Sequence, residues 1–310
     1  MRDLHELPKL RDSLSYLYVE HAVVNRKHNT VEYVDADGAV LIPVASLSVL
    51  LLGPGTSITH AAVRALAENG CTVLWVGEDV TRFYAQGLGE TRKGYRLLRQ
   101  AGLTCNPEKR TQVVLRMYRK RFGAEVDPSL SLPQIRGLEG ARMRRAYAEA
   151  GRACGVPWGG RRYDRGDWGV SDPVNRALSA ANALLNGLCH AAIVSGGYSP
   201  GLGFIHTGKQ LSFVYDIADL YKTEITIPVA FETVAASSEH VDSRVRAACR
   251  ERFRQTRLLD RVLPDIDQVL ELTEAAELPD GELSDIDVDG ARPEDLWLPL
   301  LAEEEDAECS

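Results

Sequence analysis

The sequence holds no CxxC pair, no phosphate-binding P-loop and no run of the roughly 20 apolar residues that a membrane helix needs. Its six cysteines, Cys71, Cys105, Cys154, Cys189, Cys249 and Cys309, are scattered, which argues against structural zinc and a disulfide framework. Reduced buried thiols instead fit a cytoplasmic protein. Met1–Arg11 lacks the apolar core of a signal peptide, and no internal repeat is visible. Neither a Ser-His-Asp order nor a reactive-cysteine context suggests a covalent nucleophile. What remains is a chain of 310 residues, 45% of them hydrophobic. That length accommodates about two domains.

The net charge of −8 speaks against nucleic acid until its distribution is considered. Gly281–Ser310 contains eleven Asp or Glu and one Arg, so this tail carries −10 and the rest of the chain +2. An acidic tail on a body with clustered arginines is compatible with a phosphate-binding surface.

The first part of the chain reads as β. Ser15–Val24, Thr30–Val34 and Ala39–Val44 are short β-branched and aromatic runs, with a turn at Asp35–Gly38. Val49–Leu52, Cys71–Val76 and Thr81–Gln86 add strands, and Thr59–Asn69 has helical spacing. Beyond about Gly89 the pattern turns helical, over Arg92–Ala101, Glu108–Phe122, Leu132–Cys154, Val174–Ser195, Leu211–Lys222 and Asp242–Thr273. The expected fold class is α+β, a β-sandwich-like N-terminal domain followed by a larger all-helical domain. The expected boundaries are 1–88, 89–278 and an acidic flexible tail at 279–310. In that tail, Leu296–Leu301 is apolar enough to dock on a partner.

Gly53-Pro54-Gly55 lies between a strand and a helix and resembles the opening of a dinucleotide-binding domain. Such a domain would make the protein an NAD-type oxidoreductase. Three features count against it: Ile58 at the third glycine position, the stiffening Pro54, and the lack of further alternating βα units.

A different constellation carries chemistry. Leu132, Ile135, Glu139, Met143, Ala146 and Ala150 form the apolar stripe of one helix, so Glu139 sits where an unpaired charge costs several kcal/mol. Something positive must face it, with Arg136 or Arg142 as ion-pair candidates one turn away. Asp216 and Asp219 share a helical face among Phe213, Val214, Ile217, Ala218 and Leu220. His206 precedes them in a glycine-flanked loop. One His with several carboxylates suits Mg2+ or Mn2+ better than zinc, and such an ion serves phosphodiester chemistry. Arg161, Arg162 and Tyr163 in a glycine-rich stretch, with Arg244, Arg246 and Arg250 on a later helix, suit a phosphate backbone and a stacked base.

These segments resemble the CRISPR adaptation integrases, in particular their subtype I-E branch. The resemblance rests on PGTSITHAAVRALAENG, VLWVGEDVTRFYA, QIRGLEGARMR, WGGRRYDRGDW, GFIHTGKQLSFVYDIADLYK and RVRAACRERF. It implies a dimerising β-sandwich domain and a helical catalytic domain in which Glu139, His206 and Asp219 hold the metal and Asp216 assists. It also implies an enzyme that joins 3′-hydroxyl ends of a short double-stranded DNA into CRISPR repeat DNA. Two of its homodimers would clamp a dimer of a small ferredoxin-like partner, with no membrane involved. Arg64 and Arg82 match positions that follow the duplex, and Lys209, Tyr215 and Tyr163 lie where a flanking motif would be read. His21 stands where an aromatic ring would cap the duplex end. A DNA-binding scaffold without catalysis is the remaining alternative.

Overall fold

The computed structural model describes residues 16–28, 30–42, 44, 47–78, 82–87, 94–123, 127, 130, 132–161 and 172–272. Arg162, Tyr163 and the acidic tail with Leu296–Leu301 lie outside the described residues. Strands β1 (Tyr16–Val19), β5 (Val49–Leu52), β7 (Thr72–Val76) and β8 (Phe83–Gly87) form one four-stranded sheet in that order, parallel except for β8. The second sheet runs β4 (Gly38–Ile42), β3 (Thr30–Asp35), β2 (Val23–Lys27) and the two-residue β6 (Ser57–Ile58). Ser15–Val24, one run by composition, breaks into β1 and β2 because His21 takes a left-handed φ of 51°.

Side-chain alternation in β5 decides how the halves meet. Leu50 and Leu52 face a core made with Val24, Val31, Ile42 and helix α1 (His60–Glu68). Val49 and Leu51 face the other way and join Leu74 and Val76 in the core of the helical part. A largely parallel sheet covered on both faces is what such an unbroken apolar run requires.

The Gly53–Gly55 turn is not a cofactor cradle. A Cβ on Gly53 would lie 2.3 Å from Tyr18 Oη, and one on Gly55 2.4 Å from His21 Nδ1. Both glycines make room for side chains of the same chain. Close approach is the reason for glycine here, but the approaching group is a ring, not a pyrophosphate.

Eight helices follow: α2 (Tyr95–Cys105), α3 (Pro107–Phe122), α4 (Leu132–Cys154), α5 (Pro173–Ser195), α6 (Ser212–Asp219), α7 (Ile227–Ala236), α8 (Val241–Gln255) and α9 (Leu258–Val269), counted among the described residues. Asp172 caps α5, its carboxylate accepting from Asn175 N at 3.0 Å. By length and composition α5 could cross a membrane, which the sequence reading passed over, yet most of it is buried in the centre of the helical part. The periodic stretch after Asp242 is two helices, broken where Arg257 adopts φ 47°.

Between α6 and α7 the chain widens into one π-helical turn, Lys222–Thr226, where Ile227 N bonds to Lys222 O. Thr226 Oγ1 donates to Asn182 Oδ1 at 2.8 Å, and Arg261 holds Glu224 in a bidentate pair at 2.8 and 2.9 Å. α7 was missed from the sequence because Ile225-Thr-Ile-Pro-Val229 reads as β-branched. Pro228 in fact occupies a first-turn position, where its missing N–H costs nothing.

His190 on α5 packs against Phe83 of β8 with ring centroids 3.9 Å apart and planes tilted by 35°, and burial lowers its pKa to about 4. An unfolded histidine titrates near its ordinary value, so the unfolded chain takes up the proton first as pH falls. Stability from this joint is complete above the ordinary histidine pKa and lost as pH falls through that value toward 4. Urea denaturation should show a loss of about 2 kcal/mol between roughly pH 8 and pH 5 that is absent in His190→Leu. Equal losses in both proteins would remove His190 as the cause.

Candidate active site

Four segments converge on one cluster: the last turns of α3, the first half of α4, the 203–208 loop and α6 with the π turn. Asp216 lies at its base, fully buried. Its Oδ2 accepts from Phe204 N at 2.6 Å and Ile205 N at 3.0 Å. Its Oδ1 accepts from His206 N at 2.8 Å and lies 2.7 Å from His206 Nδ1. A carboxylate at this distance fixes the tautomer of the neutral ring: Nδ1 carries the proton, and Nε2 has a lone pair whenever the imidazole is uncharged. The Asp216 hydrogen bond raises the pKa of His206 above the ordinary histidine value.

The loop is gripped from its carbonyl side as well. Arg110 donates through Nε and Nη2 to Phe204 O at 2.9 and 2.7 Å, and Arg136 Nη2 to Ile205 O at 3.0 Å. Gly203 has no alternative at its position, since a Cβ there would lie 2.3 Å from His206 O. Buried Gln100 holds the preceding residues, bonding Ser199 O, Leu202 O and Ser199 N.

Glu139 faces the cluster from α4, but its partner is neither Arg136 nor Arg142. Arg121 of α3 pairs with Glu139 Oε1 through Nη1, and Tyr118 Oη donates to Oε2 at 2.7 Å. The same Arg121 Nη1 lies 3.5 Å from Asp219 Oδ2. Lys222 Nζ is 2.5 Å from Asp219 Oδ1, a contact of opposite charges without hydrogen-bond geometry, so that buried oxygen has no hydrogen bond. Burial and the Glu139 bond push the Tyr118 phenol well above its ordinary pKa, so it stays a donor.

Of the residues expected at the site, Glu139, His206, Asp216 and Asp219 are brought together. Tyr215 packs edge-on to His206 with centroids 5.9 Å apart, and Lys209 Nζ lies 5.9 Å from the Tyr215 ring centroid. The basic candidates are more dispersed. Arg161 anchors its loop to α5 through Asn175 and Ser179, and Arg244 bonds Ser237 O at 2.7 Å. Arg246 is half-buried, and Arg250 lines an apolar cavity of about 430 Å³ among Tyr18, Leu51, Leu188 and Phe253. Arg64 pairs with Glu68 at 2.6 Å on α1, and Arg82 is exposed beside β8. Sequence reasoning missed Arg121, Tyr118, Arg110 and Lys222. Val114, Met117 and Arg121 follow helical spacing, so a cation on an apolar stripe was the available signal.

Among the described residues, no three His, Cys, Asp or Glu side chains converge closely enough to hold an ion as they stand. The donor chemistry nevertheless fits a hard divalent cation. Glu139 and Asp219 both turn to one positive centre, Arg121 Nη1; Asp219 Oδ1 is buried without a hydrogen bond; and His206 keeps Nε2 as a ligand nitrogen.

Residues 120–244 match the family described as CRISPR associated protein Cas1. A relative from Thermus thermophilus, "CRISPR-associated endonuclease Cas1 2", is 58% identical over 296 residues, covering 96% of this chain and 90% of its own. An Escherichia coli relative, "CRISPR-associated endonuclease Cas1", is 40% identical over 86% of this chain and 88% of its own. The solved TtCas1–DNA complex superposes with a TM-score of 0.78 at 59% identity, covering 86% of this chain and 100% of that one. The chain belongs to the Cas1 family of CRISPR-associated proteins, and its β-rich N-terminal region and helical remainder match the fold of a solved member.

Asp216→Asn would turn an amide NH2 against backbone N–H groups that need acceptors. Denaturant unfolding should show a loss of about 3 kcal/mol. A change within about 1 kcal/mol would mean that these bonds do not hold the loop.

Proposed function

We propose that the protein is a divalent-metal-dependent DNA integrase and endonuclease that inserts short captured DNA into a CRISPR array. The observation that carries this reading is the His206–Asp216 dyad set beside Glu139 and Asp219 in a Cas1-family chain. Support comes also from the relatives named endonucleases and from a similar chain solved with DNA. The GFIHTGKQLSFVYDIADLYK and RGLEG motifs favour the subtype I-E branch.

Glu139, Asp219 and His206 Nε2 would hold Mg2+ or Mn2+. Bound there, such an ion neutralises phosphate charge and favours the deprotonated form of an attacking hydroxyl or water. The chain's own residues supply order. Asp216 fixes the imidazole, Arg110 and Arg136 fix the loop, and Lys222 offsets Asp219. In the joining step a 3′-oxygen forms a new P–O bond as a P–O3′ bond of the repeat breaks. The released 3′-hydroxyl takes the proton, and the number of phosphodiester bonds is unchanged. No ATP and no covalent protein–DNA bond are needed. Lys209 and Tyr215, beside His206, would meet nucleotides flanking the reacting end, while Arg64, Arg82 and Arg250 would follow the duplex.

The reading includes a homodimer and a small ferredoxin-like partner, in the cytoplasm. Homodimerisation is supported by β4, an edge strand among the described residues, with Val40 47% and Leu41 58% exposed beside Val23 and Val34. Such an edge invites pairing with another strand. Leu41→Lys should shift the protein from dimer to monomer by light scattering; an unchanged mass would assign the edge elsewhere.

The direct test mixes the purified protein and its partner with a short duplex bearing 3′ ends and a supercoiled repeat plasmid. Joined product should require Mn2+ or Mg2+ and fall at least 100-fold in His206→Ala and Glu139→Ala. DNA binding with neither joining nor nicking, even on branched DNA, would make the protein a scaffold.

A further inference from the structure

The reading of Glu139, His206 and Asp219 as a metal site, on which this inference rests, gives no role to Arg121. Its side chain is 3% exposed and stands between two of the three ligands. A guanidinium keeps its charge at any accessible pH and offers five N–H donors. Here those donors are poorly served apart from the carboxylates. Among the described residues Nη2 bonds Met143 Sδ at 3.0 Å, Nε is buried without a hydrogen-bond partner, and the guanidinium carbon lies 5.1 Å from the Phe122 ring centroid. The protein holds this cation chiefly through Glu139 and Asp219.

Seen from the carboxylates, each is already faced by a cation. Glu139 Oε2 is taken by Tyr118, Oε1 by Arg121, and Asp219 lies between Arg121 and Lys222. Among these four side chains, Glu139 and Asp219 are offset by Arg121 and Lys222. A divalent cation arriving at the same oxygens would add two positive charges beside Arg121 and Lys222 in a largely buried site. Arg121 Nη1 already fills the space that Glu139 Oε1 and Asp219 Oδ2 share, so an ion bridging those two oxygens competes with the guanidinium for one position.

We propose that Arg121 is a resident counter-ion which the divalent metal must displace. The guanidinium keeps Glu139 and Asp219 together before the metal arrives, and its departure sets how tightly the metal is held. Arg121 is thus a positioning residue that acts through the ligands.

The test measures Mn2+ binding to the full-length protein by calorimetry and electron paramagnetic resonance, with thermal unfolding in parallel. Arg121→Gln should bind Mn2+ at least tenfold more tightly than the natural protein, unfold at a lower temperature without metal, and regain that loss when Mn2+ is added. Arg121→Lys, which keeps the positive charge, should not gain affinity. Equal or weaker binding by Arg121→Gln, with binding lost in His206→Ala, would overturn the counter-ion role and leave the metal site standing. Absence of Mn2+ binding in every form would overturn both. Should Arg121→Gln not fold, nitrogen NMR of the natural protein decides. The slowly rotating, buried Arg121 guanidinium signal should collapse as Mg2+ is added, and its persistence at saturating Mg2+ would overturn the proposal.

Discussion

The buried carboxylate of Asp216 must find its hydrogen bonds inside the protein, and it finds them in three consecutive backbone N–H groups and one imidazole. This requirement ties the path of the 204–206 segment to the protonation of its histidine. One oxygen, Oδ1, receives both the His206 N–H and the His206 ring, so the loop cannot form without also orienting the imidazole. Arg110 and Arg136 take the carbonyls of the same peptides. Both ends of these peptide dipoles are therefore satisfied by charged side chains, which a short glycine-flanked loop could not achieve through backbone pairing.

Much of the cluster was legible because its members break a pattern. Glu139 interrupts an apolar stripe, and Asp216 and Asp219 sit among large apolar neighbours, so each announces a burial that needs a partner. The partner itself was not legible from Glu139's own helix. The nearest-turn arginines, Arg136 and Arg142, were the natural candidates, yet the space opposite is filled by α3, which brings Arg121 and Tyr118 from outside that helix. The basic residues show a different limit. Charge alone does not distinguish a guanidinium that reaches outward from one that closes a loop, as Arg161 and Arg244 do through Asn175 and Ser237.

The fold was legible at the level of its two halves and less so at its joints. Breaks at His21 and Arg257 depend on left-handed backbone, which arginine does not advertise and a lone histidine suggests only weakly. The double role of β5 was hidden for a related reason: four consecutive buried residues carry no alternation that would reveal two different cores. Because odd and even residues of this strand belong to different cores, a slip of one residue would exchange them. Register in β5 is accordingly constrained from both faces.

The π turn at Lys222–Thr226 has a consequence for how this helical segment could change over time. A wide turn holds one residue more than an α-turn, and each added residue rotates everything beyond it by about 100°. Upstream, α6 aims Asp216 and Asp219 into the cluster; downstream, α7 aims Val229, Ala230 and Phe231 into the core. The extra residue reconciles these two angular demands. Deleting it would not simply shorten the chain. It would put the carboxylates and the core residues out of phase, so that only one set could reach its place.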